Sequence, residues 1–489
     1  MAFKPRTTQG QATCQARFLL TATSFSFTFG ATWKRCYPLL PASCIVASIT
    51  SGVHVASLLG VSAMQFVADL HVHSYYSRAT STLMNLENLY YWSQLKGVTV
   101  VGTGDSTHPA WLQELQEKLS PAEPGLFELK AEYRRSVDEN VPESCRGLVR
   151  FLISAEVSSI YKKQDKVRKV HNLIFFPDLA AASRFNTSLS KVGNIASDGR
   201  PIVGLDSKEL LRMALAATPD AFFVPAHIWT PHFSVLGANS GFDSLEDCFE
   251  ELTIHVHAVE TGLSSDPAMN RRFSSLDRMT LISNSDAHSP DRLAREATIF
   301  STSLSYPAMI DSLCAPSSEG VLGTLEFFPE EGKYHLDGHR ACHARLTPEE
   351  TRQNQGLCPM CGRKVTVGVL HRVEELADRP DGTPPAKPFE SLVGLAEILS
   401  EILGTGVKSK KVLQEYRRLL SRFGNELFIL RECPLPNLKA SGLSLLPTAI
   451  AKVRNRRVTV LPGYDGEYGK VTVLTESDRA KANQQLSLF

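Results

Sequence analysis

The stretch Ala68-Asp69-Leu70-His71-Val72-His73-Ser74 sets two imidazoles two residues apart at the end of a short apolar run, Phe66 to Leu70. In an extended strand, residues i and i+2 point to the same side, so His71 and His73 converge on one point. Neutral imidazole is the commonest metal-ligand side chain. An isolated His-x-His is more often a pair of surface histidines, so the assignment depends on partners. Polar residues recur at the ends of later apolar runs. Asp105 follows Val98–Gly102, Glu156 follows Leu148–Ala155, His227 follows Ala221–Ala226, and Asp286 and His288 follow Thr280–Asn284. His171 is the misfit, because it opens the run Val170–Phe176. His54, His255, His257, His335 and His371 read as ordinary core or surface histidines, while nothing fixes the direction of His108 and His232. Together, His71, His73, Asp105, Glu156, His171, His227, Asp286 and His288 would hold two or three divalent metals. Imidazole favours Zn²⁺, and the carboxylates admit Mn²⁺ or Mg²⁺. Such a cluster polarises phosphoryl oxygens and lowers the pKa of water.

A second cluster is His339-Arg-Ala-Cys342 and Cys358-Pro-Met-Cys361, with fifteen residues between the halves. This is the spacing of a tetrahedral structural Zn²⁺ site, and Gly362 permits the tight turn after the second knuckle. A thioredoxin-like redox pair would need its Cys-x-x-Cys to open a helix after a strand, and the flanking residues do not fit that. His335, His343 or His371 are alternatives to His339 as the fourth ligand.

The elements that must position these groups read as alternating strands and helices. Strands are expected at Phe66–Leu70, Val98–Gly102, Leu148–Ala155, Val170–Phe176, Ala221–Ala226, Val256–Thr261, Thr280–Asn284 and Thr298–Ser301. Helices are expected at Leu86–Lys96 with Gly97 closing it, at Trp111–Leu119, and at Ser207–Ala217 with Asp206 and Glu209 in capping-box spacing. This alternation predicts an α/β fold with a mostly parallel sheet, open or barrel-shaped, over 64–305. Residues 306–388 form a loop-rich module around the Cys/His cluster. From Phe389 to 474 the apolar spacing is helical, and Gly463 to Gly469 reads as a glycine-rich turn. The tail after 474 is polar and expected to be mobile.

The 489 residues carry 52 Lys+Arg and 51 Asp+Glu, so global charge says nothing about nucleic acid. Ten cysteines in this length are no disulfide scaffold. Residues 1–63 contain no acidic residue and are expected to be disordered or a mis-called extension, with Met64 as the true start. No window approaches the apolar run of a membrane span, and no convincing secretory signal is present, so the expected location is cytoplasmic, at the nucleoid. No Gly-x-x-x-x-Gly-Lys-Ser/Thr loop occurs, which argues against ATP. Charge is local: 404–470 holds thirteen Lys/Arg against five Asp/Glu. Lys408, Lys410, Lys411, Arg417, Arg418 and Arg422 cluster on or near one helix, and Lys452, Arg454, Arg456 and Arg457 form a second group. Both suit contact with a phosphate backbone.

The motifs at 69–74, 103–105, Glu156, His171, His227 and 286–288 resemble those of the PHP (polymerase and histidinol phosphatase) phosphoesterase domain. The longer strings at 77–81, 101–109, 225–231, 260–267 and 283–290 resemble one branch more closely, the endonuclease Q family. The resemblance covers about 64 to 474. It implies a distorted (β/α)₇ PHP barrel, a zinc-binding module, and a metal-dependent DNA repair endonuclease. That enzyme cuts on the 5′ side of deaminated bases (hypoxanthine, uracil) and abasic sites. It also assigns the eight ligand roles, with Asp286, Glu156 and His227 nearest the chemistry and Glu156 bridging two metals. Many PHP members read Thr-Asp-His where this chain reads Thr103-Gly104-Asp105, so Asp105 would replace an imidazole. Glu260 is expected on the substrate side or behind a ligand, and Trp229, Phe233, Tyr464 and Tyr468 are candidates to line a lesion pocket. The last residues, Gln485-Leu486-Ser487-Leu488-Phe489, resemble the bacterial sliding-clamp binding motif. The competing readings are a small-molecule phosphatase of the histidinol-phosphatase type and a non-enzymatic DNA-binding repair module.

Overall fold

The computed structural model describes residues 63–480, so the expectations for 1–62 and for the clamp-like motif at 485–489 lie outside the described residues. The strands run in chain order as β1 (Met64–Asp69), β2 (Val100–Gly102), β3 (Leu119–Pro121), β4 (Phe127–Leu129), β5 (Arg150–Lys163), β6 (Lys166–Phe176), β7 (Ile202–Val203), β8 (Phe222–Pro225), β9 (Ala258–Glu260), β10 (Thr280–Ile282), β11 (Ala297–Thr302) and β12 (Val321–Glu326). Helices alternate with them, among them Leu86–Lys96, Pro109–Lys118, Leu179–Leu189 and Ser207–Ala217. The centre of the main sheet is parallel, β1 beside β2 beside β5, and these strands are buried on both faces, as near-continuous apolar sequence requires. Antiparallel partners flank that centre: β11 on β1, β12 on β11, β6 on β5 and β8 on β6. β9 and β10 pair in parallel with each other.

One element exceeds its sequence expectation. β5 runs on to Lys163 and folds back as β6 in an eleven-pair hairpin, from Ile153↔Phe176 to Lys163↔Lys166. Its turn is Gln164-Asp165, with φ of 52° and 58°, the two left-handed positions of a type I′ turn. Because β6 runs against β5, the first half of β6 lies at the rim where the parallel strands end. This reversal resolves the misfit of His171.

Local capping follows the sequence closely. Asn85 accepts a hydrogen bond from the Asn88 amide, and Gly97 closes that helix at φ 91°. Asp206 accepts from the Lys208 amide, but Glu209 turns to Arg212 instead of completing a capping box.

Two boundaries shift. The helix Tyr306–Cys314 and β12 belong to the main sheet, so the Cys/His module begins only after Glu326. That module holds the hairpin β13 (Asp337–His339) and β14 (Ala344–Leu346) and the helices Pro348–Gln353 and Val369–Leu376. Phe389 opens β15 (Phe389–Ser391), parallel to β12, rather than a helix. Helices Leu395–Leu403, Lys410–Phe423 and Leu446–Arg454 then bury Leu399, Val412, Tyr416, Leu419, Leu420 and Ile450 in a second core, which Leu95, Val141 and Cys145 of the α/β unit also enter. Lys410–Phe423 is amphipathic, with Lys410, Lys411, Arg417 and Arg418 exposed opposite that core. The hairpin β16 (Thr459–Leu461) and β17 (Lys470–Thr472) closes the region. Residues after 474 are tied down further than expected: Lys452 and the Thr475 amide both bond to Asp478, and Arg479 donates to the Glu401 carbonyl.

Glu426 joins the helical region to the α/β unit. Its carboxylate takes hydrogen bonds from the Leu395 amide (3.0 Å) and the Tyr416 hydroxyl (2.6 Å) and pairs with Lys96 Nζ (2.7 Å). All these groups are buried or nearly so. Glu426→Ala is expected to destabilise the protein by about 3–5 kcal/mol, because Lys96 is left as a buried unpaired charge. Denaturant unfolding at neutral pH reads this loss.

Candidate metal centre

The two i, i+2 motifs lie side by side. Val72 and Ala287 form a parallel bridge, and the His73 amide donates to the Ala287 carbonyl (3.0 Å), so His71-Val72-His73 runs alongside Asp286-Ala287-His288. Beneath them, the two carboxylate oxygens of Asp69 accept from the Ser285 and Ala294 amides, and Asn284 Oδ1 accepts from the Leu70 amide. Burial pushes the Asp69 carboxyl up to about 6, against the pull of those amides.

Six of the eight expected ligands face one another. His73 Nε2 lies 3.0 Å from Asp286 Oδ1 and 3.2 Å from Glu156 Oε2. His71 Nε2 lies 3.5 Å from each of these oxygens. The other oxygen, Glu156 Oε1, lies 2.7 Å from His171 Nδ1 and 3.3 Å from His227 Nε2. The side chains thus form two groups sharing Glu156: His71, His73, Glu156 and Asp286, and Glu156, His171 and His227. In each group the donor atoms lie within 4.8 Å of one another. On the β5–β6 hairpin, Glu156 and His171 share one face as a diagonal cross-strand pair.

This donor set fits divalent cations. His71 Nε2 is buried and has no hydrogen-bond partner among the described residues. Its 3.5 Å spacing to two carboxylate oxygens is too long for a hydrogen bond and suits donors arranged about an ion with bonds of about 2.1 Å. Burial holds His171 down at about 4, so this imidazole stays neutral and able to ligate. Burial opposes the ionisation of Glu156, yet His171, Arg200 and His71 outweigh it and hold its pKa well below the usual carboxylate range.

Asp105 and His288 are placed differently from the expected ligand roles. Asp105 Oδ1 takes His73 Nδ1 (3.0 Å), and Oδ2 takes the Ser74 amide, the Ser74 hydroxyl and the Ser77 hydroxyl. With both oxygens engaged, it stands behind His73 and orients it. Glu260 does the same for His71 Nδ1, at 3.0 and 3.1 Å, while also accepting from the His227 amide and Asn284. Such carboxylates fix the tautomer and direction of a ligating imidazole. His288 packs its ring 4.4 Å from that of His73 and points Nδ1 at the Asp286 carbonyl (2.9 Å), outside both donor groups. Asp105, His227 and Asp286 hold φ of 49°, 31° and 47°, a left-handed backbone that is rare for such residues and typical of functional sites.

Sequence reasoning passed over Arg200, whose Nη1 lies 3.0 Å from Glu156 Oε2. An arginine in a loop ordinarily reads as solvated and carries no signal; the structure shows Gly199 before it letting the loop approach, where any Cβ would collide with Asp105. The centre opens into a cleft of about 590 Å³. Arg200, Arg292, Arg295 and Lys333 supply its positive charge, and Phe233, Phe327, Tyr334 and Tyr468 its aromatic faces. Of the other aromatic candidates, Trp229 is fully buried and donates to Asn270, and Tyr464 packs on Gly338.

His339, Cys342, Cys358 and Cys361 converge, with donor atoms within 4.8 Å of one another, a set that suits a metal ion. His371 is instead held by Asp337 (2.6 Å). In the basic clusters, Lys408, Lys410, Lys411, Arg417, Arg418, Arg422, Arg456 and Arg457 are exposed. Lys452 is paired with Asp478, and Arg454 is a structural residue, donating to the carbonyls of Ile429, Leu430 and Cys433. Where the sequence suggests a DNA contact, Nε and Nη2 of Arg454 are spent on backbone carbonyls.

Fold and centre together define an α/β protein with a buried imidazole–carboxylate site of the type that binds divalent cations. Its similarity to solved structures is extensive. The lesion-specific endonuclease PfuEndoQ of Pyrococcus furiosus shares 30% identity at a TM-score of 0.72, covering 86% of this chain and 99% of that one. A structure of endonuclease Q with a 27-mer duplex carrying an abasic lesion at its active site shares 30% identity at a TM-score of 0.73, covering 85% of this chain and 98% of that one. The chain belongs to the endonuclease Q family. Residues 394–457 match the family described as the MJ0043 C-terminal domain. Protein MJ0043 of Methanocaldococcus jannaschii is 32% identical over 239 residues, 47% of this chain, and this chain spans 30% of its length.

Asp105→Asn is expected to weaken Mn²⁺ or Zn²⁺ binding by about 10–100-fold while the fold is kept, because His73 loses the anion that orients it. Calorimetric titration of the folded variant checks this.

Proposed function

We propose that the protein is a metal-dependent DNA repair endonuclease, built on a distorted (β/α)₇ PHP barrel, that hydrolyses the phosphodiester 5′ of hypoxanthine, uracil and abasic sites. The observation that carries this reading is the pair of donor groups sharing Glu156 at the floor of a cationic, aromatic-lined cleft. The likeness to a lesion-specific endonuclease, and to one holding an abasic duplex, supports it. His71, His73, Glu156 and Asp286 would hold one divalent cation, and Glu156, His171 and His227 a second. When bound, such cations supply Lewis-acid charge to the phosphodiester and its attacking water. The chain's own residues do the rest. Arg200, Arg292, Arg295 and Lys333 neutralise phosphates entering the cleft. Glu260 and Asp105 keep His71 and His73 in register. A damaged base must leave the stack to be read, and Phe233 and Tyr468 offer faces to receive it. The exposed lysines and arginines of Lys410–Phe423 extend the phosphate-binding surface.

The phosphatase alternative leaves that basic helix and the aromatic wall of the cleft without a role, and a purely DNA-binding module leaves the buried donor set unused. We further propose Zn²⁺ at His339, Cys342, Cys358 and Cys361, and a sliding-clamp partner for residues 485–489.

Labelled duplexes carrying one deoxyinosine, deoxyuridine or abasic site, incubated with Mn²⁺, Mg²⁺ or Zn²⁺, are expected to yield a product ending one phosphodiester 5′ of the lesion. Inactivity on all of them alongside hydrolysis of a small phosphate monoester would establish the phosphatase instead. Asp286→Ala is expected to lower cleavage by about 10³-fold or more while DNA affinity is retained, since it removes a metal donor and no phosphate contact. Deleting 485–489 is expected to abolish clamp binding and leave cleavage of naked DNA intact; unchanged clamp affinity in a pull-down refutes that partner.

A further inference from the structure

Two buried glutamates stand at the end of the β11–β12 ladder. β11 and β12 are antiparallel with Ala297 paired to Leu325 and Thr298 to Thr324; Glu296 and Glu326 flank the Ala297–Leu325 pair, and Glu296 accepts from the amide of the residue next to Glu326. Both side chains are fully buried. Glu296 Oε1 accepts from the Phe327 amide (3.1 Å), and Glu326 Oε2 accepts from the hydroxyls of Thr261 (3.2 Å) and Ser283 (3.0 Å). The remaining oxygens, Glu296 Oε2 and Glu326 Oε1, are buried and have no hydrogen-bond partner among the described residues. Residues flanking the last pair of an antiparallel ladder lie within reach of each other's carboxyl group, and the charge of Glu326 acts on Glu296. Two ionised carboxylates cannot persist there. The charges around them do not compensate: Arg295 and Glu260 act on Glu296, and Asp266 acts on Glu326. Arg295 gives its hydrogen bonds to the Ser285 and Asp286 carbonyls.

We propose that Glu296 and Glu326 share a single proton between Glu296 Oε2 and Glu326 Oε1, and that this pair positions the metal centre from beneath. Glu326 grips Thr261 and Ser283, the neighbours of Glu260 and Asn284. Asn284 donates to Glu260, and Glu260 holds His71. On the other side, Glu296 holds the amide of Phe327, a wall of the cleft. Burial raises both acids well above the usual range, in agreement with a retained proton.

Linkage gives the sign. In the unfolded chain both glutamates ionise at their ordinary pKa, whereas the folded chain keeps one proton. Below the unfolded pKa the pair costs no stability. As pH rises toward the folded value, the unfolding constant increases tenfold per pH unit on account of this proton. The experiment is denaturant unfolding of the full chain between about pH 8 and 9, above the values of Asp69 (about 6) and Glu331 (about 7), read as the difference between wild type and variants so that the raised imidazoles of His71 and His73 cancel. E296Q and E326Q, which mimic the protonated partner, are each expected to remove this tenfold-per-unit dependence. The wild-type infrared spectrum at about pH 8.5 is expected to show a neutral carboxylic acid band that E296Q lacks. If neither variant folds, the wild-type band alone decides, and its absence overturns the proposal. A buried cation in place of the proton would give no band and a wild-type stability that depends on added Na⁺, Mg²⁺ or Ca²⁺; that result also overturns it.

The positioning role rests on the nuclease reading. E296Q is expected to extend the high-pH limb of kcat by the same proton with KM unchanged, and an unmoved limb refutes the positioning role. A wild-type chain that cleaves no lesion-bearing duplex refutes the nuclease while the band and the stability slope still report on the pair.

Discussion

One carboxylate faces two sets of imidazoles, and the centre depends on it. Glu156 turns Oε2 toward His71 and His73 and Oε1 toward His171 and His227, so its removal would separate the two donor groups. An ionised carboxylate at this depth is costly unless it is matched. The match comes from Arg200 and from the imidazoles themselves. That match in turn dictates local geometry. The β5–β6 hairpin must reverse so that His171 reaches the rim, and His227 must take a left-handed backbone. Gly262 must lack a side chain, because any Cβ there would strike that of His227.

The paired histidines are held by the same device used twice. Glu260 stands behind His71 and Asp105 behind His73, each presenting an anion to Nδ1 and leaving Nε2 to face the centre. Neither carboxylate is free to move: Glu260 also takes the His227 amide and Asn284, and Asp105 the Ser74 and Ser77 groups. Asp69 then fixes the strand end that carries both rings against the loop that carries Asp286. Rigid placement of this kind is what a site needs if cations are to meet a preformed donor set rather than assemble one.

Where chain periodicity and local capping decide the structure, the sequence is readable. The strand ends ahead of His71, His227 and Asp286 fall within two residues of where the spacing places them, and the helix Leu86–Lys96 is bounded by Asn85 and Gly97 as expected, whereas Glu156 lies inside β5. What escapes is set by contacts between distant segments. The Gln164-Asp165 turn has none of the glycine that usually marks two left-handed positions, so β5 and β6 read as shorter than they are. A Thr-Gly-Asp motif at a strand end does not distinguish a ligand from a carboxylate that backs one, and Asp105 resolves only once Ser74 and Ser77 are seen on its second oxygen. Glu296 and Glu326 carry no sequence signal at all, because a glutamate is by default a solvated residue and only the end of the β11–β12 ladder brings the two together in the interior.

The glycine-rich turn at 463–469 shows why the Cys/His module matters to a cleft it does not floor. Asp465 spans the module, accepting from the Arg340 amide, inside the His339–Cys342 knuckle, and from the Thr366 hydroxyl. The Leu336 amide donates to the Gly463 carbonyl, and the Gly466 amide to the Lys333 carbonyl. Tyr468, at the end of this turn, lies beside Lys333 with the ammonium 4.6 Å from its ring centre, and both line the cleft. A metal that ties His339 and Cys342 to Cys358 and Cys361 would therefore stiffen a backbone whose outer edge presents a cation and an aromatic face to the cleft. In this architecture the imidazole–carboxylate floor lies on residues 71–286 and the cleft edge on Lys333 and Tyr468, and the turn at 463–469 ties the two halves of that edge together.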